Sequence, residues 1–303
     1  MNLRPRTDPR QPEAGQRDAL PAWASDGPAQ TDRHRRQGDA RERDLVAAVA
    51  SSALCLDRRS VVALGSGAVV GMDAMITHQP ETHPSTAASR QLLGSIDSAE
   101  LVTKANRWLL DEALGAVGSW PGGERSARLF VVIMLDDRFV ADTSFLPSMK
   151  ESVRRAGLEP SQLLLSLDPD LGFERHWPTI QRLKSHGVRV ALEDFTLGSP
   201  ATELLRRFPF DAVRVVLEPP AEARLKAGPA AQADAGLEAA PGAASAAALE
   251  ELRAVVHLAH NQRCRVMVEG VDDAEAVRIV RQAECDEGSG LALPANKGAP
   301  NGG

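Results

Sequence analysis

Two adjacent carboxylates, Glu193-Asp194, stand where the apolar stretch Val188–Leu192 gives way to the turn Gly198-Ser199-Pro200. An amphipathic segment and a second apolar stretch, Ala212–Leu217, follow. Hard divalent cations take oxygen ligands, and a parallel α/β barrel collects its chemistry where strands run into the loops after them. Other polar residues occupy comparable places. Asp73 lies in Met72-Asp73-Ala74-Met75, Asp136 and Asp137 follow Met134, Ser166 and Asp168 close Leu163–Leu167, Arg214 lies in Ala212–Leu217, and Glu269 follows Val266-Met267-Val268. Asp73, Glu193, Asp194 and Glu269 are therefore candidates to converge on a divalent metal. The competing reading is that strand-end acids cap helices or pair with arginines on a rim.

The elements that would position these residues alternate in type. Val61–Leu64 and Val69–Ile76 read as strands joined by Gly65-Ser66-Gly67, hence a hairpin. A helix over Ser98–Val117 opens on a cap-like Ser98. Strand Leu129–Leu135, helix Phe145–Arg155, strand Leu163–Leu167, helix Arg175–His186 and strand Val188–Glu193 come next. Helix Thr202–Arg207, strand Ala212–Leu217, helix Leu249–His260, strand Arg265–Val268, helix Asp273–Gln282 and a short strand over Gly290–Leu293, with Ser289 at its start, complete the series. Helices separating short apolar strands imply a parallel sheet, and this many repeats favour a closed barrel. A doubly wound open sheet is the alternative, weakened because no glycine-rich phosphate fingerprint follows the first strand.

Composition narrows the partners. A net charge of -6 over 303 residues, with 43% hydrophobic residues, points to neither nucleic acid nor a membrane surface. No apolar run approaches the roughly 18 residues that cross a bilayer. The first residues lack the apolar core of a secretory signal, and the three cysteines form no CxxC pair, so a reducing cytoplasm is the expected compartment. Residues 1–43 interleave nine Arg with seven acids and are expected to be a disordered tail, with Arg33-His34-Arg35-Arg36 a solvated cluster. The domain is expected over 44–303, interrupted by an Ala/Pro/Gly stretch at 219–247 read as a surface excursion, with a flexible end at 295–303. His257 and His260, three apart on one helix without a third ligand, and His78 and His83 in a loop read as surface residues.

The ordered motifs carry a resemblance. The stretch EDFTLGSPAT from Glu193 is similar to DDFGTGYSSL, the metal-binding loop of EAL-domain cyclic di-GMP phosphodiesterases. Pro209-Phe210-Asp211 and Arg214-Val215-Val216 take the places of Pro-x-Asp and Lys-Ile-Asp. Leu258-Ala259-His260 with Glu269-Gly270-Val271-Asp272 resembles "lAh…AEGVE", and Cys285-Asp286 through Gly290 to Pro294 resembles "cD..QGy…P". Asp73-Ala74-Met75 stands at the signature Glu-Ala-Leu. The likeness runs from about residue 44 to 294, apart from the Ala/Pro stretch. It implies a TIM-type (β/α)8 barrel with an antiparallel first strand. It also implies metal-assisted phosphodiester hydrolysis at the strand C-termini, with Mg²⁺ or Mn²⁺ activating a water.

Carried over position by position, the family's set is altered. The signature glutamate is Asp73, the asparagine ligand is Met134 and the next glutamate ligand is Ser166, with Asp168 two residues on. The paired aspartates are Glu193 and Asp194, the lysine is Arg214, and the aspartate two positions later is Val216. The catalytic glutamate remains as Glu269, the later one is Asp272, and the terminal glutamine is Ser289. The phosphate-gripping arginine is Thr77, and a glutamine before the first strand is Arg59. A thioether does not suit a hard cation, and a guanidinium is a broad fork in place of a compact ammonium. The expectation is a non-catalytic EAL-domain regulator acting through a protein partner, with no cofactor. Mg²⁺ or Mn²⁺ enters only if activity is retained, and a homodimer is open. The alternatives are a cyclic di-GMP receptor using Arg59 and Arg214 without hydrolysis, and an active phosphodiesterase with a rearranged shell.

Overall fold

In the computed structural model the described residues are 54–77, 86–120, 129–217 and 243–294, all within one unit, Glu42–Gly303. The expected tail at 1–43, most of the 219–247 stretch, the end at 295–303, and His78 and His83 lie outside them. Eight strands close into a barrel in sequence order, β1 to β8. They are β1 Cys55–Ala63, β2 Val69–Thr77, β3 Phe130–Met134, β4 Leu163–Leu167, β5 Arg189–Leu192, β6 Ala212–Val216, β7 Arg265–Glu269 and β8 Glu287–Ser289. Between them run α1 Thr86–Gly94, α2 Ala99–Gly118, the single turn α3 Asp137–Val140, α4 Phe145–Arg155, α5 Phe173–Ser185, α6 Pro200–Arg207, α7 Ala243–Asn261 and α8 Ala274–Gln282.

The barrel follows from patterns that the residues themselves impose. β1 returns as β2 through a tight turn in which Gly67 has φ +71° and its N–H donates to the Ala63 carbonyl at 2.8 Å, so these two strands are antiparallel. From β2 to β8 every neighbouring pair is parallel, and β8 closes on β1 antiparallel. Strands covered on both faces read as continuous apolar runs, as the fully buried Leu-Leu-Leu-Ser-Leu of β4 does. One set of side chains fills the layer between sheet and helices. Val61, Phe130, Val132, Leu164, Ala191, Ala212 and Met267 form a separate cluster inside the barrel.

Helix ends are set locally and then tied to the strand ends. The Ser98 side chain accepts from the Leu101 N–H at the start of α2, and Asp273 accepts from the Ala276 N–H at the start of α8. Buried Asn106 on α2 accepts from the Asp136 N–H at 3.0 Å, just past β3. Arg138 grips Asp136 with two nitrogens at 2.8 Å and donates to the Leu93 carbonyl of α1 at 2.9 Å. Gly270 after β7 has φ +78°, and a Cβ there would lie 2.7 Å from the Leu217 carbonyl oxygen. Only glycine lets this loop close against the end of β6.

Two expectations are corrected. The last strand is Glu287–Ser289 rather than Gly290–Leu293, so Ser289 ends it instead of starting it. The polar Glu-Gly-Ser is held by the ladder to β7 and β1 and by a Glu287–Arg265 ion pair at 2.9 Å. The more apolar residues lie beyond the ladder, with Leu291 61% exposed and Leu293 buried in the core. Residues 243–247, read with the Ala/Pro/Gly excursion, form the first turn of α7, because alanine is the strongest helix former.

Candidate functional site

Side chains alternate across a strand, so two residues beyond the inner cluster lie the next inward positions toward the barrel mouth. From Val132, Leu164, Ala191, Ala212 and Met267, that step reaches Met134, Ser166, Glu193, Arg214 and Glu269. On antiparallel β1 the step runs backward from Val61 to Arg59, which pairs with Asp73 in the ladder. Ser289 sits beside Glu269 and Val216 on its other side. The period-two pattern thus gathers almost every residue singled out in the sequence at one end of the barrel.

At the centre is Arg214, 1% exposed. Its Nη1 donates to Asp73 Oδ1 at 3.3 Å and its Nη2 to Asp73 Oδ2. Its Nε donates to Glu269 Oε1 at 3.0 Å, which Nη2 also meets, and Nε lies 3.2 Å from Glu193 Oε1. One planar fork therefore faces three carboxylates from three strands. Burial by itself disfavours the guanidinium's charge, but Asp73, Glu193 and Glu269 together raise its pKa well above the usual arginine value. Burial raises the Asp73 pKa against the pull of Arg214. Glu193, fully buried, is pushed up to about 8, first by burial, with Arg214 opposing and Glu269 and Asp73 adding to the rise. Neither Glu193 oxygen has a hydrogen-bond partner, and the Ser166 hydroxyl also lacks one.

Asp194 does not join this cluster. It has φ 45°, a left-handed conformation that aspartate tolerates, and its carboxylate turns to Arg90 on α1, Nη1 to Oδ2 2.5 Å. Arg90 also lies 2.9 Å, Nε to Oδ2, from Asp168. A second guanidinium thus bridges the ends of β4 and β5 on the rim, with each of the three side chains about one-third exposed. Burial opposes the charge on Arg90, while its hydrogen bond to Asp194 and the nearby acids raise its pKa overall. Asp168 and Asp194 belong to this rim pair, leaving Asp73, Glu193 and Glu269 as the inner set. A cavity of about 200 Å³ opens beside the pair, lined in part by Arg90, Met134, Asp136 and Asp168.

The substituted positions have identifiable neighbours. Thr77 is buried, and its hydroxyl donates to Asp57 at 3.0 Å across the top of the β1–β2 hairpin. Met134 lies beside Ser166 in the ladder, and Val216 is 47% exposed at the mouth. His260 meets Asp286 at 2.9 Å and His257 lies 3.3 Å from Asn261, at the opposite end of the barrel. Sequence reasoning missed Arg90 altogether and missed the central place of Arg214. An arginine inside the apolar Ala-Val-Arg-Val-Val carried a usable signal, because a buried charge must find partners. Arg90 carried none.

The residues do not fit a pair of hard divalent cations as they stand. Met134 offers sulfur, Ser166 a neutral hydroxyl, and Arg214 already occupies the space between the inner carboxylates. Among the described residues no group of three His, Cys, Asp or Glu side chains is arranged to hold a metal ion. No helix among them is long and apolar enough to cross a membrane.

Comparison with known proteins places this architecture. The EAL domain model matches residues 42–218. A Pseudomonas aeruginosa protein named cyclic di-GMP phosphodiesterase NbdA is 23% identical over 250 residues, covering 81% of this chain and 29% of that protein. An uncharacterized signaling protein of Caulobacter vibrioides is 26% identical over 258 residues, covering 83% and 28%. The chain therefore spans less than a third of the length of these relatives. Among solved structures, a complex titled PaMucR phosphodiesterase with c-di-GMP has a TM-score of 0.64 at 20% identity, covering 85% of this chain and 98% of that one. The Xanthomonas citri FimX EAL domain in complex with c-diGMP has a TM-score of 0.59 at 18% identity, covering 88% and 96%. With a closed eight-stranded barrel, an antiparallel first strand and a family match over more than half its length, the chain belongs to the EAL-domain family.

Proposed function

We propose that this chain is a non-catalytic EAL-domain regulator that works through contacts with a protein partner in cyclic di-GMP-related signalling. The observation that carries this reading is the Arg214 guanidinium lying among Asp73, Glu193 and Glu269. Metal-assisted phosphodiester hydrolysis needs an oxygen-rich shell that can take divalent ions and a carboxylate ready to accept a proton from water. Here Glu269 accepts hydrogen bonds from Arg214, and Glu193 is fully buried. Among the described residues the large apolar side chains that are exposed, Val216 and Leu291, both lie just at or past strand C-termini. They support the mouth as a surface for protein contact.

The test is direct. The full chain is incubated with cyclic di-GMP and Mn²⁺, and the products are separated by chromatography. No linear dinucleotide is expected. Its formation, and its loss in Glu269→Ala, would show an active phosphodiesterase and overturn the reading.

A second reading, a cyclic di-GMP receptor without hydrolysis, rests on Arg59, a half-buried cation facing into the mouth opposite Asp73. Against it, the Thr77 hydroxyl is committed to Asp57. Calorimetry separates the two readings. The scaffold reading expects no heat with the nucleotide, and micromolar or tighter binding lost in Arg59→Ala selects the receptor.

A further inference from the structure

We propose that Arg214 is a tethered counter-cation that excludes divalent ions from the barrel mouth, and that exchanging it opens a divalent-cation site at Asp73, Glu193 and Glu269. The inference rests on the non-catalytic reading and deepens it. It says what the guanidinium does at the mouth and what single change reverses that.

Two observations on different residues carry the inference. The first is the arrangement around the guanidinium. Asp73, Glu193 and Glu269 come from β2, the end of β5 and β7, and each lies within ion-pair distance of one side chain. A guanidinium is a flat fork with donors on more than one edge, so it engages these acids together while neutralising part of their charge. The second is Glu193, with no exposed surface and neither oxygen in a hydrogen bond of good geometry, although Arg214 Nε stands 3.2 Å from Oε1 and the Ser166 hydroxyl lies beside it. Buried carboxylate oxygens without well-placed donors are uncommon because their desolvation is not repaid. Their natural complement is a further positive centre. The three carboxylates that meet the fork offer oxygens, the ligands that hard divalent ions prefer over softer metals.

Lysine tests the idea without removing the positive charge. Its ammonium presents its donors from one point and cannot span three strands at once. In Arg214→Lys the inner acids are released from a common fork while one cation stays behind. The full chain, in wild-type and variant form, is titrated with Mn²⁺ alone. Free Mn²⁺ is followed by electron paramagnetic resonance and thermal unfolding is recorded in parallel. The wild type is expected to leave Mn²⁺ free and to keep the same Tm with Mn²⁺ or with EDTA. Arg214→Lys is expected to take up Mn²⁺ and to gain about 5 °C or more in Tm at saturation. Adding Asp73→Asn in the lysine background should abolish the uptake.

A folded Arg214→Lys that leaves Mn²⁺ free overturns the inference and leaves the non-catalytic reading standing. If Arg214→Lys is unfolded, circular dichroism with and without Mn²⁺ decides. Recovery of the folded signal supports the inference, and no recovery overturns it. Wild-type uptake of Mn²⁺ at Asp73, with release of linear dinucleotide from cyclic di-GMP, overturns the non-catalytic reading itself. The two failures are thus distinguishable.

Discussion

The two arginines at the barrel mouth do similar electrostatic work in different surroundings. Arg214 meets three carboxylates with 1% of its surface exposed, whereas Arg90 meets two with about a third of every side chain in water. In the interior, the cost of losing one partner is set by the charges left behind without water. At the rim, solvent takes over that role. The same residue type is therefore a structural necessity in one place and an adjustable tie in the other.

The largest effect should come from removing the inner cation. Arg214→Met is expected to lower stability by about 3–5 kcal/mol, because it leaves buried carboxylates uncompensated. Chemical denaturation at pH 7 measures the loss. A cost near that of a surface substitution would erase the contrast between the two arginines.

Protonation gives a sharper probe of the same cluster. Glu193 is held at about 8 against an ordinary value of 4.5, so the folded chain keeps a proton that the unfolded chain releases in between. The stability linked to that proton is fully present below about pH 4.5, falls as pH rises, and is gone above about pH 8. Glu193→Gln removes this dependence. Its unfolding free energy should vary less across that window and exceed the wild-type value at pH 8.5 by on the order of 1 kcal/mol or more. An unchanged pH profile would mean that Glu193 is ionised in the fold.

The smallest effect belongs to the rim. Arg90→Ala is expected to cost less than about 1 kcal/mol, and the difference from wild type should shrink further between low and high salt. Thermal melts at two ionic strengths check both points. A salt-independent loss as large as that of Arg214→Met would show that the rim pair is shielded like the inner one.

How much was legible in the chain varied with how local the cause was. Helix Phe145–Arg155 and strand Leu163–Leu167 have the bounds that their periodicity predicts, and Ser98 caps its helix as its type suggests. β8 was misplaced by a few residues because Glu-Gly-Ser has little strand propensity of its own, and its pairing comes from strands far away in sequence. Arg90 escaped notice because its partners lie 78 and 104 residues further along, so no local spacing marked it.

The amino-acid sequence by itself determined the alternation of strands and helices, the inward step of two that brings Asp73, Ser166, Glu193, Arg214 and Glu269 to one end, and the likeness to the EAL family. These depend on side-chain period and local propensity, which are written along the chain. Only the tertiary structure decided which charges meet. It placed Arg214 between three acids rather than beside them, and it turned Asp194 away to Arg90. The partner of a buried charge is chosen by closure of the barrel across more than a hundred residues, as between Asp73 and Arg214, and no local pattern encodes that meeting.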